Sequence, residues 1–458
     1  MRFKVYSKNE YSGDKAVFYY DNITSEIYRE DGSSVEARPM SKTIYSDSIA
    51  GVVSIDTPGK KGFIDTLKIQ MGLSCNYGCT YCSQRFVPHA DETAQRDIVP
   101  FMEKLNGWLK NSPRRIEFWG GEPFVYWKTF KPLAEELRKK FPEVPFTVIT
   151  NGSLLTIEIN EWLEKMDFGV GISHDGPGQW QRGPDPFDEP EVAAAILDLY
   201  SRLRPKKRIS FNSVLTAQNS DRGAILKWFV DKIGDPNVPI GEGAFVDPYD
   251  EGAMLHTEAT DGQWWGIRRK AFEGIRNATL MNFEIVPQRM KDWVDSIANK
   301  RNAYTLGQKC GMDSSDKIAV DLKGNVLTCQ NVSSVATSMN GESHKIGHID
   351  DFDNIKLNTA THWSKRPHCT SCPVLQVCKG SCMFLEGKYW WRGCDTSYND
   401  HVPFWAAAME AVTDFKPYRI EGEGLPEHRM NIWGDDDKIE EKRYEKVVTK
   451  KVIPILAA

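Results

Sequence analysis

Between residues 64 and 247, short β-branched or apolar runs alternate with stretches of helical spacing, and this alternation limits the fold more than any other feature. "IDTLKIQMG" (64–72), "RRIEFWG" (114–120), "PFTVITNG" (145–152), "FGVGISHDG" (168–176), "RISFNSVLTA" (208–217) and "IGEGAFVD" (240–247) read as strands. Helical patterns at 97–110, 128–141, 154–166, 190–206 and 222–233 separate them. Strands alternating with helices pair in parallel through right-handed crossovers. Six such units fall short of a complete barrel. The expectation is therefore an α/β fold, a partial (β/α)6 TIM-like barrel over residues 63–248.

In parallel βα folds, reactive groups collect beyond the C-terminal ends of the strands. The first strand leads into "LSCNYGCTYCSQ" (73–84), which carries Cys75, Cys79 and Cys82. "GGEP" (120–123) follows the second strand, "TNG" (150–152) ends the third and "SHDGP" (173–177) ends the fourth. All four should face one mouth.

The rest of the chain reads differently. Residues 1–62 form a small β-rich N-terminal element, where "KAVFYYDNITSEIYRE" runs into the turn "EDGSS". An exposed strand edge there would suit recruitment of a peptide as an added strand; covering a barrel edge is the plainer role. Residues 249–305 look like a helical bridge, 306–400 hold seven cysteines, and 401–458 hold a helix ("PFWAAAMEAVTDF") and a mixed basic and apolar tail. The net charge of -5 argues against a nucleic-acid binder, and the basic run "RLRPKKR" (202–208) suits a helix C-terminus. The N-terminus lacks the apolar core of a signal peptide, and no run approaches the roughly 18 apolar residues of a membrane span. A soluble, cytoplasmic protein is expected. Its ten cysteines would then sit in a reducing compartment, where metal ligation is a better default than disulfides.

The spacing of the first three cysteines is C-x3-C-x2-C. A cubane [4Fe–4S] cluster is held by thiolates at its iron corners, so three cysteines leave one iron open. A structural zinc site wants four protein ligands, and the nearest histidine, His89, lies well beyond Cys82.

This triplet, with the aromatic Tyr81 before its last cysteine, resembles the signature of radical S-adenosylmethionine (SAM) enzymes. The resemblance implies that SAM chelates the open iron and is reductively cleaved to a 5′-deoxyadenosyl radical. Gly120, Gly121 and Glu122 look like the family's motif for the methionyl ammonium; glycines admit a close backbone and a carboxylate complements a cation. Ser173 resembles the family's serine near the SAM carboxylate or ribose, Asn212 sits where the fifth strand often contacts SAM, and Tyr81 would lie near the adenine. For Ser173 and Asn212, capping of strand ends is the structural alternative.

Cys310, Gly324 and Cys329, then C-x2-C-x5-C-x3-C (Cys369, Cys372, Cys378, Cys382) and Cys394, resemble the SPASM domain, a C-terminal extension of some radical SAM enzymes. That family pattern implies two auxiliary [4Fe–4S] clusters, three clusters in all. Cys369, Cys372, Cys378 and Cys394 would hold one, and Cys310, Cys329 and Cys382 the other, whose fourth ligand is no cysteine but an oxygen donor such as Asp313 or an open site. C-x2-C also reads as a zinc knuckle. Relatives of this type include anaerobic sulfatase-maturating enzymes and ribosomal-peptide maturases. The resemblance implies an oxidoreductase that abstracts hydrogen from a peptide or protein, forming a crosslink or oxidising a side chain, with an external flavodoxin- or ferredoxin-type reductant. A small-molecule radical SAM dehydrogenase and a non-catalytic zinc or iron–sulfur scaffold are the alternatives.

Overall fold

The computed structural model describes residues 1–42, 59–60, 63–91, 93–241, 243–357 and 362–434. Two sheets organise them. The larger has eight strands: β4 (Thr66–Gln70), β5 (Arg115–Trp119), β6 (Phe146–Thr150), β7 (Phe168–Ser173) and β8 (Ile209–Asn212) run parallel in sequence order, as the strand–helix alternation requires. Their apolar side chains are buried, as expected of strands with helices packed outside. Helices α1 (Ile98–Trp108), α2 (Trp127–Lys140), α3 (Ile157–Lys165), α4 (Pro190–Leu203) and α5 (Arg222–Ile233) form the crossovers. Local signals set their ends. Thr156 and Asp221 accept N–H bonds as N-caps of α3 and α5, and Gly234 closes α5 in the left-handed conformation.

The sixth segment differs from its reading as a strand. Among the described residues of 240–247 there are isolated parallel bridges, Ile240 with Phe211 and with Phe283, and Phe245 with Leu215, in place of a strand. The opposite edge of the barrel sheet is extended. β9 (Lys317–Asp321) pairs in parallel with β4, placing Ile318 opposite Leu67, and β10 (Asn325–Leu327) and β11 (Lys345–His348) continue antiparallel. The strand bearing the first cysteines is thus central, and the cysteine-rich region contributes strands to the barrel sheet.

The four-stranded sheet has the order β12–β1–β2–β3, from β1 (Arg2–Lys8), β2 (Lys15–Asp21), β3 (Ile27–Arg29) and β12 (Lys416–Glu421). The N-terminal element is therefore completed by the C-terminal segment. β12 occupies the edge of β1 that sequence left exposed for an added peptide strand, and the other edge is only three residues long. The sheet's inner face packs on α10 (Gly387–Thr413), with Tyr20 against Trp405, and on the residues just after it, with Phe18 against Phe415.

That helix starts well before the expected "PFWAAAMEAVTDF" and crosses the boundary drawn at residue 400. Pro403, which suggests a helix start, sits mid-helix; it lacks the N–H that would bond back one turn. The bridge is helical as read: α6 (Glu251–Leu255), α7 (Asp261–Arg276) and α8 (Ile285–Ala298). A short α9 (Leu375–Cys378) lies among the later cysteines. The basic run at 202–208 is spent on carboxylates, Arg202 on Asp198 and Glu164, Arg204 on Asp235 and Arg208 on Asp167. Among the described residues no helix is long and apolar enough to cross a membrane. The tail from residue 435 lies outside the described residues.

One buried ion cluster fastens α10 to the barrel. Asp400 accepts from Arg222 Nη2 at 2.7 Å and from Arg289 Nη1 at 2.6 Å, and all three are buried. Burial pushes the Asp400 carboxyl up, yet Arg289 and Arg222 together hold it well below the usual carboxylate range. Asp400→Ala leaves two buried cations without a counter-charge and should cost about 3–5 kcal/mol, read as a lower urea midpoint. The depressed acid also fixes a sign. Its contribution is full above the unfolded value near pH ~4 and is lost as pH falls through the folded value, so Asp400→Asn should flatten the acid limb of stability against pH.

Candidate active site

The loop after β4 is shaped by two glycines. Gly72 has φ +135°, and a Cβ there would stand 2.3 Å from Tyr126 Oη, which accepts the Ser74 N–H at 2.7 Å. Gly121 passes so close that its Cβ would lie 2.3 Å from the Leu73 carbonyl oxygen. That approach allows two backbone bonds, Gly121 N–H to Gly72 O and Glu122 N–H to Ser74 O, each 3.0 Å. The cysteine loop is thereby laced to the "GGEP" loop.

Glu122 is 1% exposed. Its Oε1 accepts from Phe124 N at 3.0 Å and Thr150 Oγ1 at 2.8 Å, and its Oε2 accepts from Asn151 N at 2.7 Å. Burial raises its pKa against those donors and against the nearby Arg182 charge, and among the described residues no Lys or Arg makes a close ion pair with it. The Asn151 side chain donates to Asn76 Oδ1, Asn76 donates to Ser153 Oγ, and Ser153 Oγ returns a bond to Asn151. This ring ties the segment between Cys75 and Cys79 to the end of β6.

Cys75, Cys79, Cys82, Gly120, Gly121, Glu122 and Ser173 line one cavity of about 320 Å³, within the size range of small-molecule sites. Tyr81 and Asn212, expected at the same ligand, are not on its wall. Tyr81 is buried and donates its hydroxyl to Asp175, while it accepts from Arg182 Nη1 at 3.0 Å. The Asn212 amide occupies the space left by Gly171 and Gly241. Among the other residues on the wall are two, Arg182 and Asn331, that the sequence does not single out. Arg182 lines the cavity with Nη1 3.6 Å from Asp175, and its buried Nε has no hydrogen-bond partner among the described residues. Asn331, two residues past Cys329, lines it too and accepts from Gln84 Nε2 at 3.2 Å.

The later cysteines form two groups. Cys369, Cys372, Cys378 and Cys394 line a second cavity, three from the turns around α9 and the fourth from α10. Asn22 donates to the Cys372 carbonyl at 2.9 Å, so the N-terminal sheet braces this group. Cys310, Cys329 and Cys382 are electrostatic neighbours: burial raises the pKa of Cys329 and Cys382, and the Cys310 thiolate adds to it, behind the Asp247 charge in the case of Cys382. Asp313 is buried beside Cys310 and accepts the Gln308 N–H at 2.8 Å. Among the described residues, no three His, Cys, Asp or Glu side chains converge as one metal ion would require.

Residues 69–179 match the Radical SAM superfamily model. The chain is 24% identical over 358 residues to the radical SAM cyclopropyl synthase TigE of Paramaledivibacter caminithermalis, covering 71% of this chain and 69% of that one. It is 20% identical over 349 residues to the serine-type anaerobic sulfatase-maturating enzyme of Bacteroides thetaiotaomicron, covering 68% and 80%. Among solved structures, native anSMEcpe with bound AdoMet and a Cp18Cys peptide superposes with a TM-score of 0.53 at 18% identity, over 76% of this chain and 98% of that one, a likeness of fold.

The lacing of the two loops can be tested by one methyl group. Gly121→Ala should cost about 1–3 kcal/mol through overpacking and speed hydrogen exchange at the Glu122 amide. Gly107→Ala, where a Cβ meets nothing within 4 Å, should leave that exchange unchanged.

Proposed function

We propose a substrate class for what is, by its matched domain and its cavity, a radical SAM enzyme: it abstracts hydrogen from a peptide or protein side chain, forming a crosslink or an oxidised residue. The observation that carries this reading is the meeting of three thiols, a buried carboxylate with no close ion pair among the described residues, and a guanidinium on one cavity. Cys75, Cys79 and Cys82 would hold a [4Fe–4S] cluster with one open iron. An amino acid brings an ammonium and a carboxylate, and the wall supplies an opposite charge for each, Glu122 and Arg182. When bound, the cluster and SAM supply the one-electron cleavage that yields a carbon radical. The chain's own residues would orient SAM, with the laced loops fixing Glu122 and the Tyr81–Asp175 pair fixing Arg182.

The remaining cysteines fit two auxiliary [4Fe–4S] clusters. Zinc needs four ligands about one point, and these thiols do not converge that way. They line a cavity or gather as a looser group, as ligands spread over the corners of a cube would. Ten thiols and three clusters also suit an intracellular, reducing setting and an external one-electron reductant of flavodoxin or ferredoxin type. For the substrate, support comes from the relatives: one is named for maturing sulfatases, and one neighbour holds a peptide beside AdoMet.

Three measurements test this. The anaerobically reconstituted protein should carry about twelve irons per chain; Cys75, Cys79 and Cys82 changed together to alanine should leave about eight and abolish SAM cleavage. About four irons with stoichiometric zinc would refute the auxiliary assignment. Arg182→Met removes a charge-assisted bond worth about 1.5–3 kcal/mol, so SAM should bind the unreduced protein roughly ten- to a hundredfold more weakly. Finally, the reduced enzyme with SAM and candidate short peptides should yield products lighter by two hydrogens; turnover of small alcohols in place of every peptide would favour the dehydrogenase reading.

A further inference from the structure

One short segment touches both cysteine regions. Asp250 accepts from Arg85 Nη2 at 2.8 Å, and Arg85 lines the active-site cavity. Asp247 accepts from Ser381 Oγ at 3.0 Å, and Ser381 in turn accepts from Ser397 Oγ at 2.9 Å. Between them Tyr249 places its hydroxyl 2.9 Å from Cys382 Sγ. Its ring packs with Cys382 against the small apolar cluster that includes Leu306 and Trp390. The phenol is thus held from both flanks and aimed at one sulfur of the set that has only three cysteines, Cys310, Cys329 and Cys382.

A phenol beside this set could act as the missing iron ligand or as a hydrogen-bond donor. The distance decides between them. Ligands on different corners of a cubane point away from one another along its diagonals and do not come within hydrogen-bond distance. An oxygen 2.9 Å from the Cys382 sulfur is therefore placed to donate to it.

We propose that Tyr249 is a positioning residue of the three-cysteine site: its O–H donates to the Cys382 thiolate and raises the reduction potential of the cluster held there, without ligating iron. The proposal rests on reading that site as a cluster site. The physical reason is charge. Reduction adds an electron to an anionic cluster, and a donor at a ligand sulfur stabilises the added charge, so hydrogen bonds to the sulfurs tune the potential. A protein frame that is already rigid supplies this at little reorganisation, and the segment 247–250 is pinned by Ser381 and Arg85.

The test is Tyr249→Phe in the full-length, anaerobically reconstituted protein, followed by iron analysis and potentiometric EPR. The variant should keep the wild-type iron content of about twelve per chain. At a fixed potential the reduced fraction of one auxiliary cluster should fall about tenfold, a 59 mV shift for one electron, with the other two clusters unmoved. Tyr389→Phe, whose ring packs against the same apolar cluster but whose hydroxyl bonds to Glu251, should shift nothing. An unchanged potential overturns the proposal, and so does loss of about four irons, which would make Tyr249 a ligand. A wild-type protein that itself lacks this cluster sinks the underlying reading separately. Should the variant not fold, pulsed EPR of the reduced wild type in D2O serves instead: a strongly coupled exchangeable deuteron at that cluster is expected, and its absence refutes the bond.

Discussion

The parallel pairing of β4 with β9 is the contact on which the arrangement of the chain depends. Leu67 stands opposite Ile116 on one side and Ile318 on the other, so the strand that launches the cysteine triplet is locked in the sheet interior. β9 lies between Cys310 and Cys329 in sequence, so annexing it draws those cysteines to the barrel. Gln70 then donates to the Gln330 carbonyl at 2.9 Å, and Asn331 reaches the active-site wall. Parallel strands distant in sequence are costly to bring together, and here the apolar faces of β4 and β9, both buried, supply the compensation.

Within the site, backbone proximity and charge act together. The laced loops need glycine at 121, and the lacing carries Glu122 to a position where its carboxylate is almost wholly buried and, among the described residues, makes no close ion pair, although the Arg182 charge acts on it. A buried carboxylate held by three neutral donors is a poor stabiliser of the fold and a good receptor for an ammonium. Arg182 is the mirror case, a guanidinium only partly satisfied by Tyr81 and Asp175, with no hydrogen-bond partner for Nε among the described residues. Such frustration in an otherwise well-bonded barrel is informative, because buried polar groups are usually satisfied.

How much of this was legible in sequence follows from range. β-branched runs and helical spacing are local, and β4 to β8 fell where they were read; the cysteine triplet and "GGEP" met at one cavity because strand ends share a mouth. Long-range choices were not legible. "KIAVDLKGNVL" carries a hairpin signal in its Lys-Gly-Asn turn, with Asp321 accepting from the Lys323 and Asn325 amides, but nothing in it names β4 as a partner. β12 completing the N-terminal sheet is a pairing across almost the whole chain. Pro403 misled because its usual place is a first turn. Arg182 sits in the same strand-end loop as Ser173, and that position was the one signal available for it. The motif puts Tyr81 near the adenine, and the sequence gives no sign that its hydroxyl bonds to Asp175.

The thiols connect fold to cofactor. Burial pushes Cys79 and Cys329 up to about 11 and Cys372 up to about 12, so without iron these groups are neutral and poorly solvated. Iron ligation would require thiolates, so it would expel those protons and be coupled to the structure that buries them. The coupling is strongest where the sequence spreads one group over distant elements. Cys394 rides on α10, while Cys369, Cys372 and Cys378 belong to the turns around α9. A cluster joining them would staple α10 to those turns, and α10 in turn carries the N-terminal sheet and, through Asp400, the barrel helix α5. The second cavity is therefore a mechanical hub: whatever fills it bears on the N-terminal sheet and, through α10, on α5.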